Sequence, residues 1–191
     1  MKRKSFLNRL ALASGGTVFL PSLGLLQGCE YVPAVRTDLD HSDLSFLNEI
    51  AETILPATPS SPGAKEAKVG HYMLSIFRDC MVREEQAVFL EGLNQLDARS
   101  AIAFEASFMD AQPREKLEIL QALQAEAISY NLALEGVDHP LPHYFDLFKS
   151  LTISGYFTSE TGMTIARSYL PLPGKYEACI PYTSGDKPWA T

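Results

Sequence analysis

The sequence predicts an all-α fold, one helical bundle with an irregular C-terminal tail behind an export leader. Three observations predict it. Apolar residues recur at three- and four-residue spacing from Ser42 to Tyr169. Proline and glycine clusters cut that stretch into pieces of helical length. No run of alternating β-branched residues is long enough for a strand. A chain of 191 residues holds one sizeable core, and the short connections favour antiparallel helix neighbours.

The first element is an address. Lys2, Arg3, Lys4 and Arg9 precede an apolar run from Leu10 to Gln27, the charged and apolar regions of a secretory leader. Arg3, Lys4, Phe6 and Leu7 resemble a twin-arginine export motif with Lys4 as the second basic residue, and general secretory export is the rival route. Leu26-Gln27-Gly28-Cys29 resembles a lipobox, which makes Cys29 the acylated first residue of the mature chain. An uncleaved membrane anchor is the alternative, although Pro21 and several glycines interrupt the run, which is short for a span. Either reading puts the body outside the cytoplasm, on the periplasmic side of the envelope and held to a membrane. Residues 1–28 are thus the leader, 29–41 a tether containing Pro33, and 42–191 the helical domain.

Within the domain, Leu44, Leu47, Ile50, Ile54 and Leu55 form the first stripe, capped by Ser42 or Asp43 and stopped by Pro56. A breaker-rich loop follows to Ala64. The second helix is expected over Lys65 to Val82, with Val69, Tyr72, Met73, Ile76, Phe77 and Cys80 on one side. The third is expected over Glu84 to Leu96, then a separate piece over Ser100 to Met109 with Ile102, Phe104 and Phe108. Pro113 suits the first position of a helix reaching Leu134, with Leu117, Leu120, Leu123, Ala127 and Tyr130 inward. His139-Pro140-Leu141-Pro142 is a turn. Tyr144 to Phe157 is a helix burying Phe145, Phe148, Leu151 and Thr152, and a last helical piece covers Thr161 to Tyr169. Beyond Pro171 the chain is irregular.

Charge narrows the function classes. Without residues 1–28 the chain has 12 basic and 23 acidic residues, a net of −11, which repels phosphate backbones and makes nucleic acid an unsuitable partner. His139 and His143 have helical metal-ligand spacing, but Pro140 and Pro142 between them exclude a helix. Ser159 lacks the surroundings of a nucleophile elbow. Ser159 or Thr158 suits a helix cap, with Glu160 in the first turn. Phosphate-cradling glycine patterns, CxxC and haem-attachment motifs are missing. No metal, cofactor or catalytic residue is therefore expected in this chain. With Cys29 acylated, Cys80 and Cys179 remain for an internal disulfide in an oxidising compartment. Two free thiols, or a bridge to a partner chain, are the other possibilities.

Four segments carry a resemblance: Glu52-Thr53-Ile54-Leu55-Pro56-Ala57-Thr58 with Pro62-Gly63-Ala64; Phe77-Arg78-Asp79-Cys80 with Phe89-Leu90-Glu91-Gly92-Leu93 and Leu96-Asp97; Phe148 to Thr152 into Gly155-Tyr156-Phe157-Thr158-Ser159-Glu160-Thr161-Gly162; and Tyr169-Leu170-Pro171-Leu172-Pro173-Gly174-Lys175-Tyr176 with Cys179. Together they resemble the gluconate 2-dehydrogenase subunit 3 family from about Ser45 to Pro181. The resemblance implies a non-catalytic small subunit of a membrane-bound, flavin-dependent sugar or sugar-acid dehydrogenase complex. It implies a large subunit that binds FAD, and often a cytochrome c subunit whose haem passes electrons onward. It also implies that the small subunit carries the export signal for its partner. Tyr156, Phe157, Ser159, Glu160, Tyr169 and Pro173 are the candidate partner-binding residues, although Tyr156 and Phe157 equally suit a core. Lys4 and the lipobox depart from the family pattern. A stand-alone cell-envelope binding lipoprotein is the alternative function.

Overall fold

The computed structural model describes residues 31, 33, 35–172, 174 and 179–190. The leader, the export-motif residues Arg3, Lys4, Phe6 and Leu7, the candidate lipid site Cys29, and Pro173 lie outside the described residues. The chain divides into residues 1–30 and 31–191, and the second unit is the helical domain.

A 3-10 turn, His41–Asp43, leads into α1 (Leu44–Ile54), followed by α2 (Val69–Asp79), α3 (Arg83–Phe104), α4 (Pro113–Ala133) and α5 (Tyr144–Phe157). A π turn, Gly162–Ala166, follows α5. The described residues contain no strand, only isolated bridges joining Thr58 to Ser61 and Ser168 to Trp189. Helix α5 is the centre of the bundle and packs against each of the other four. Its Phe148 is fully buried and meets Phe89 of α3 edge-on at 5.0 Å. Phe89 in turn lies 5.6 Å from Phe77 of α2. Leu47, Ile50, Met73, Leu93 and Leu123 close the core around these rings, with edge-on aromatic pairs adding to the burial gain.

Several boundaries differ from expectation for identifiable reasons. Helix α3 runs unbroken through the expected gap, because Asp97 and Ser100 point inward and are 2% and 0% exposed. Asp97 Oδ1 accepts the Phe108 backbone N–H at 2.9 Å, so the chain leaving the helix folds back onto it. Helix α2 begins only at Val69, since Lys68 takes a left-handed conformation with φ of 56° that no right-handed helix accommodates. Asp40, not Ser42 or Asp43, caps the entry: it accepts the Ser42 N–H at 2.6 Å, and the Asp43 carboxylate reaches back to the Asp40 N–H at 3.1 Å. The last expected helix shrinks to the π turn. Leu117, Tyr130 and Ile102 are turned outward, at 45%, 38% and 85% exposure.

The described part of the expected tether is docked. Tyr31 donates its hydroxyl to Asp97 Oδ2 at 2.7 Å. The Arg36 backbone pairs with the Asn94 side-chain amide in both directions, N–H to Oδ1 at 2.8 Å and C=O from Nδ2 at 2.9 Å. The Arg36 guanidinium lies 4.1 Å from the Phe46 ring centroid, and Leu39 is fully buried.

Candidate functional site

The end of α5 and the turn after it carry most of the candidate partner-binding residues. Gly155 lets α5 approach α2: a Cβ there would stand 2.6 Å from the Tyr72 ring. The next residue, Tyr156, is therefore drawn inside and is 1% exposed. Its hydroxyl donates to the Pro62 carbonyl at 2.7 Å and shares a 2.6 Å hydrogen bond with Ser61 Oγ. From the opposite side the Glu52 carboxylate accepts the Ala57 and Lys65 backbone N–H groups, at 3.0 and 2.8 Å. The first and third of the segments that carried the resemblance thus meet, and their polar groups tie the loop between α1 and α2 to α5.

Tyr156 is accordingly a structural tie, with its ring inside the domain. Ser159 also works inward: its hydroxyl donates to the Tyr156 carbonyl at 2.6 Å and accepts the Gly162 N–H at 3.0 Å. That is the capping role its sequence position suggests. Gly162 has no room for a side chain, since a Cβ would fall 2.0 Å from the Tyr156 carbonyl oxygen. Phe157 is half-buried, edge-on to Tyr156 at 5.1 Å, with the Arg167 guanidinium 4.4 Å from its ring centroid. Glu160 is exposed, and Tyr169 is 45% exposed.

Past Tyr169 the tail turns back. Ser168 N–H donates to the Pro188 carbonyl, and the Ala190 N–H to the Ser168 carbonyl, both at 2.9 Å. Lys187 Nζ reaches the Ile165 carbonyl. An open cavity of about 320 Å³ lies inside this turn, bordered by Ile180, Tyr182 and Trp189. These exposed apolar residues, with Leu170 and Leu172, were not among the sequence candidates. Nor was the outer face of α4, where Leu117, Ile128 and Leu132 are exposed at helical spacing. The second stripe was readable as an i, i+11, i+15 repeat. The first stripe of the same helix concealed it.

The perturbed titratable groups serve the fold. Burial first, then the Asp97 carboxylate, pushes the Tyr31 hydroxyl up to about 12, and burial likewise lifts Tyr144 to about 12. Glu49 is pushed up by burial but held below its ordinary value by Lys116 and Lys65, whose ammonium groups lie 2.7 and 3.3 Å away. His143 is lowered chiefly by burial, and its Nδ1 accepts the Phe145 N–H at 3.2 Å to cap α5. Cys80 and Cys179 are both free and exposed, so the expected bridge between them is not made. Cys80 lies one residue past the end of α2, where the chain has turned out of the apolar stripe that ends at Phe77. Among the described residues no group of three or more His, Cys, Asp or Glu is placed to hold a metal. No helix among them is long and apolar enough to cross a membrane.

No curated protein and no solved structure matches the chain. Residues 41–174 match the model of one family, described as gluconate 2-dehydrogenase subunit 3. The match takes in every helix from the 3-10 turn to the π turn and both partners of the Tyr156 tie. The helical bundle, with the loop and turn that its motifs hold together, belongs to the gluconate 2-dehydrogenase subunit 3 family.

Proposed function

We propose that the chain is the non-catalytic small subunit of a membrane-bound, flavin-dependent dehydrogenase complex acting on a sugar or sugar acid. It assists export and maturation of the catalytic subunit and tethers it on the periplasmic face of the envelope. The family match over residues 41–174 carries this reading. FAD belongs to the large subunit in this reading, haem c to a cytochrome subunit where one is present, and this chain contributes surface. Phe157, Glu160 and Tyr169, with the apolar residues of the tail, form the face offered to the large subunit. Aromatic residues on an otherwise polar surface suit that task. The leader and Cys29 supply the address and the anchor.

The test is purification of this chain from membranes under mild detergent, followed by mass spectrometry and a flavin absorption spectrum. A flavoprotein recovered in stoichiometric amount, and lost on Tyr169→Asp, is the expected result. Recovery of the chain alone from cells that express the flavoprotein would overturn the reading.

A further inference from the structure

We propose that the outer face of α4 is a docking surface for a second copy of this chain, laid antiparallel against it about a two-fold axis. The helix carries two apolar stripes. One is buried in the bundle through Ile119, Leu120, Leu123 and Ala127. The other is exposed and contains Leu117, Ile128 and Leu132. At 3.6 residues per turn, Leu117, Gln121, Ala125, Ile128 and Leu132 fall within an arc of about 80°. Gln121 and Ala125 are exposed as well. Arg114 begins the same line and Glu135, just past the last turn, ends it; both are exposed.

The order of residues along this face points to its occupant. Leu117 stands seven residues before Gln124, and Leu132 seven after Ala125. Gln121 and Ile128 stand three residues outside the same two positions, and Arg114 and Glu135 ten. Read backwards, the stripe therefore fits itself, the self-complementarity that a two-fold interface requires. Leu117 meets Leu132 of the second copy, Gln121 meets Ile128, and Arg114 meets Glu135, each pairing occurring twice. A receptacle is already in place. An open hollow of about 340 Å³ is bordered by Ile128, Asn131, Leu132 and Glu135. That i, i+3, i+4, i+7 set is the hole that receives one side chain of a facing helix. Its centre falls between Asn131 and Leu132, where the reversal brings Leu117 of the second copy. One helix pair about 22 Å long sits at the small end of interfaces, under about 1,200 Å². The net charge of −11 without residues 1–28 also repels a second copy. The dimer is therefore weak and reversible, and the Arg114–Glu135 pairs set its register.

The experiment uses the full chain, produced with its leader and carrying Cys80→Ser and Cys179→Ser, in two forms with different epitope tags. One form adds Leu117→Cys and the other Leu132→Cys, both at exposed positions. The purified forms, alone and mixed at high concentration, are oxidised with copper phenanthroline, and the products are identified by tag and by mass. Opened cells that make both forms are treated in the same way. A form without an added cysteine sets the background, any contribution of Cys29 included. The expected outcome is a disulfide that joins the two tags in the mixture, well above the self-cross-link of either form alone. Arg114→Glu in both forms turns two attractions into repulsions and lowers this yield about tenfold. Adding Glu135→Arg restores it. Self-cross-links as strong as the mixed one overturn the proposal, because a parallel or random encounter produces them. A yield indifferent to Arg114→Glu, or not rescued by Glu135→Arg, overturns it as well. So does the absence of any cross-link between copies, including the case in which opened cells yield a disulfide to another protein instead.

Discussion

Tyr156→Phe separates a scaffold role from a partner role at the residue where the two expectations diverge. The substitution keeps the ring, which is 1% exposed, and deletes one oxygen. That oxygen donates to the Pro62 carbonyl at 2.7 Å and bonds Ser61 Oγ at 2.6 Å. Ser61 is only half-buried and can turn its hydroxyl to water. The half-buried Pro62 carbonyl keeps only the Ser61 Oγ contact, long at 3.4 Å. The expected cost is that of one poorly satisfied acceptor plus a fraction of a neutral hydrogen bond, about 2 kcal/mol. For a domain of this size that lowers Tm by about 4–8 °C. Thermal melts by circular dichroism on the purified chain give the shift, and pull-down of the flavoprotein below the new Tm gives the second readout. Partner capture should be unchanged there. An unaltered Tm with loss of capture would refute the argument, since it would mean that the hydroxyl reaches the partner.

Three further outcomes follow from other contacts. Gly162→Ala places a Cβ 2.0 Å from the Tyr156 carbonyl oxygen. A backbone atom cannot step aside cheaply, so a loss of about 1–3 kcal/mol in urea unfolding is expected. Lys116→Met removes an ammonium that is 6% exposed and leaves Glu49 with Lys65 alone. Because Glu49 keeps that partner and some solvent, the loss in urea unfolding should be about 1–3 kcal/mol, below that of a fully orphaned buried charge. His143 is depressed below its ordinary value of 6.5 by burial, helped by Arg99 against the opposing pull of Asp146 and Glu126. The unfolded chain therefore binds the proton first, so stability is full above about 6.5 and falls as pH drops toward the folded value. Protonation also takes the Nδ1 lone pair from the α5 cap. In a Tm series from pH 8 to 5, His143→Asn should flatten this component, since Asn caps at either pH.

Legibility in the sequence followed the range of the controlling contact. Helix α5 was read to the residue, because Pro142, the Phe145-Phe148-Leu151-Thr152 stripe and the glycine near its end are all local. The start of α4 was set by Pro113 alone. The continuity of α3 was hidden, since Asp97 is polar and its partner Tyr31 is 66 residues away. Tyr156 could not be assigned for the same reason: nothing near it in sequence reveals a carbonyl 94 residues distant. Lys68 illustrates a different limit, a left-handed backbone at a residue with no intrinsic taste for it. For the candidate site, the capping geometry around Ser159 was legible from residue type. The exposed tail rings were not, because composition announces irregularity without saying which side chains face out.

The clasp at Ser168 gives the carboxy-terminal stretch a thermodynamic character of its own. Closing a ring of roughly 22 residues costs about 2.7 kcal/mol beyond a constant, and two neutral hydrogen bonds return only about 1–3 kcal/mol. The clasp is therefore near balance and opens while the bundle stays intact, so the Ser168 and Ala190 amides exchange with solvent long before those of α5. Any protein that settles on the hoop inherits this poise. Part of its affinity goes into holding the ring shut, and trimming Pro188 to Ala190 would weaken that grip without disturbing a single helix.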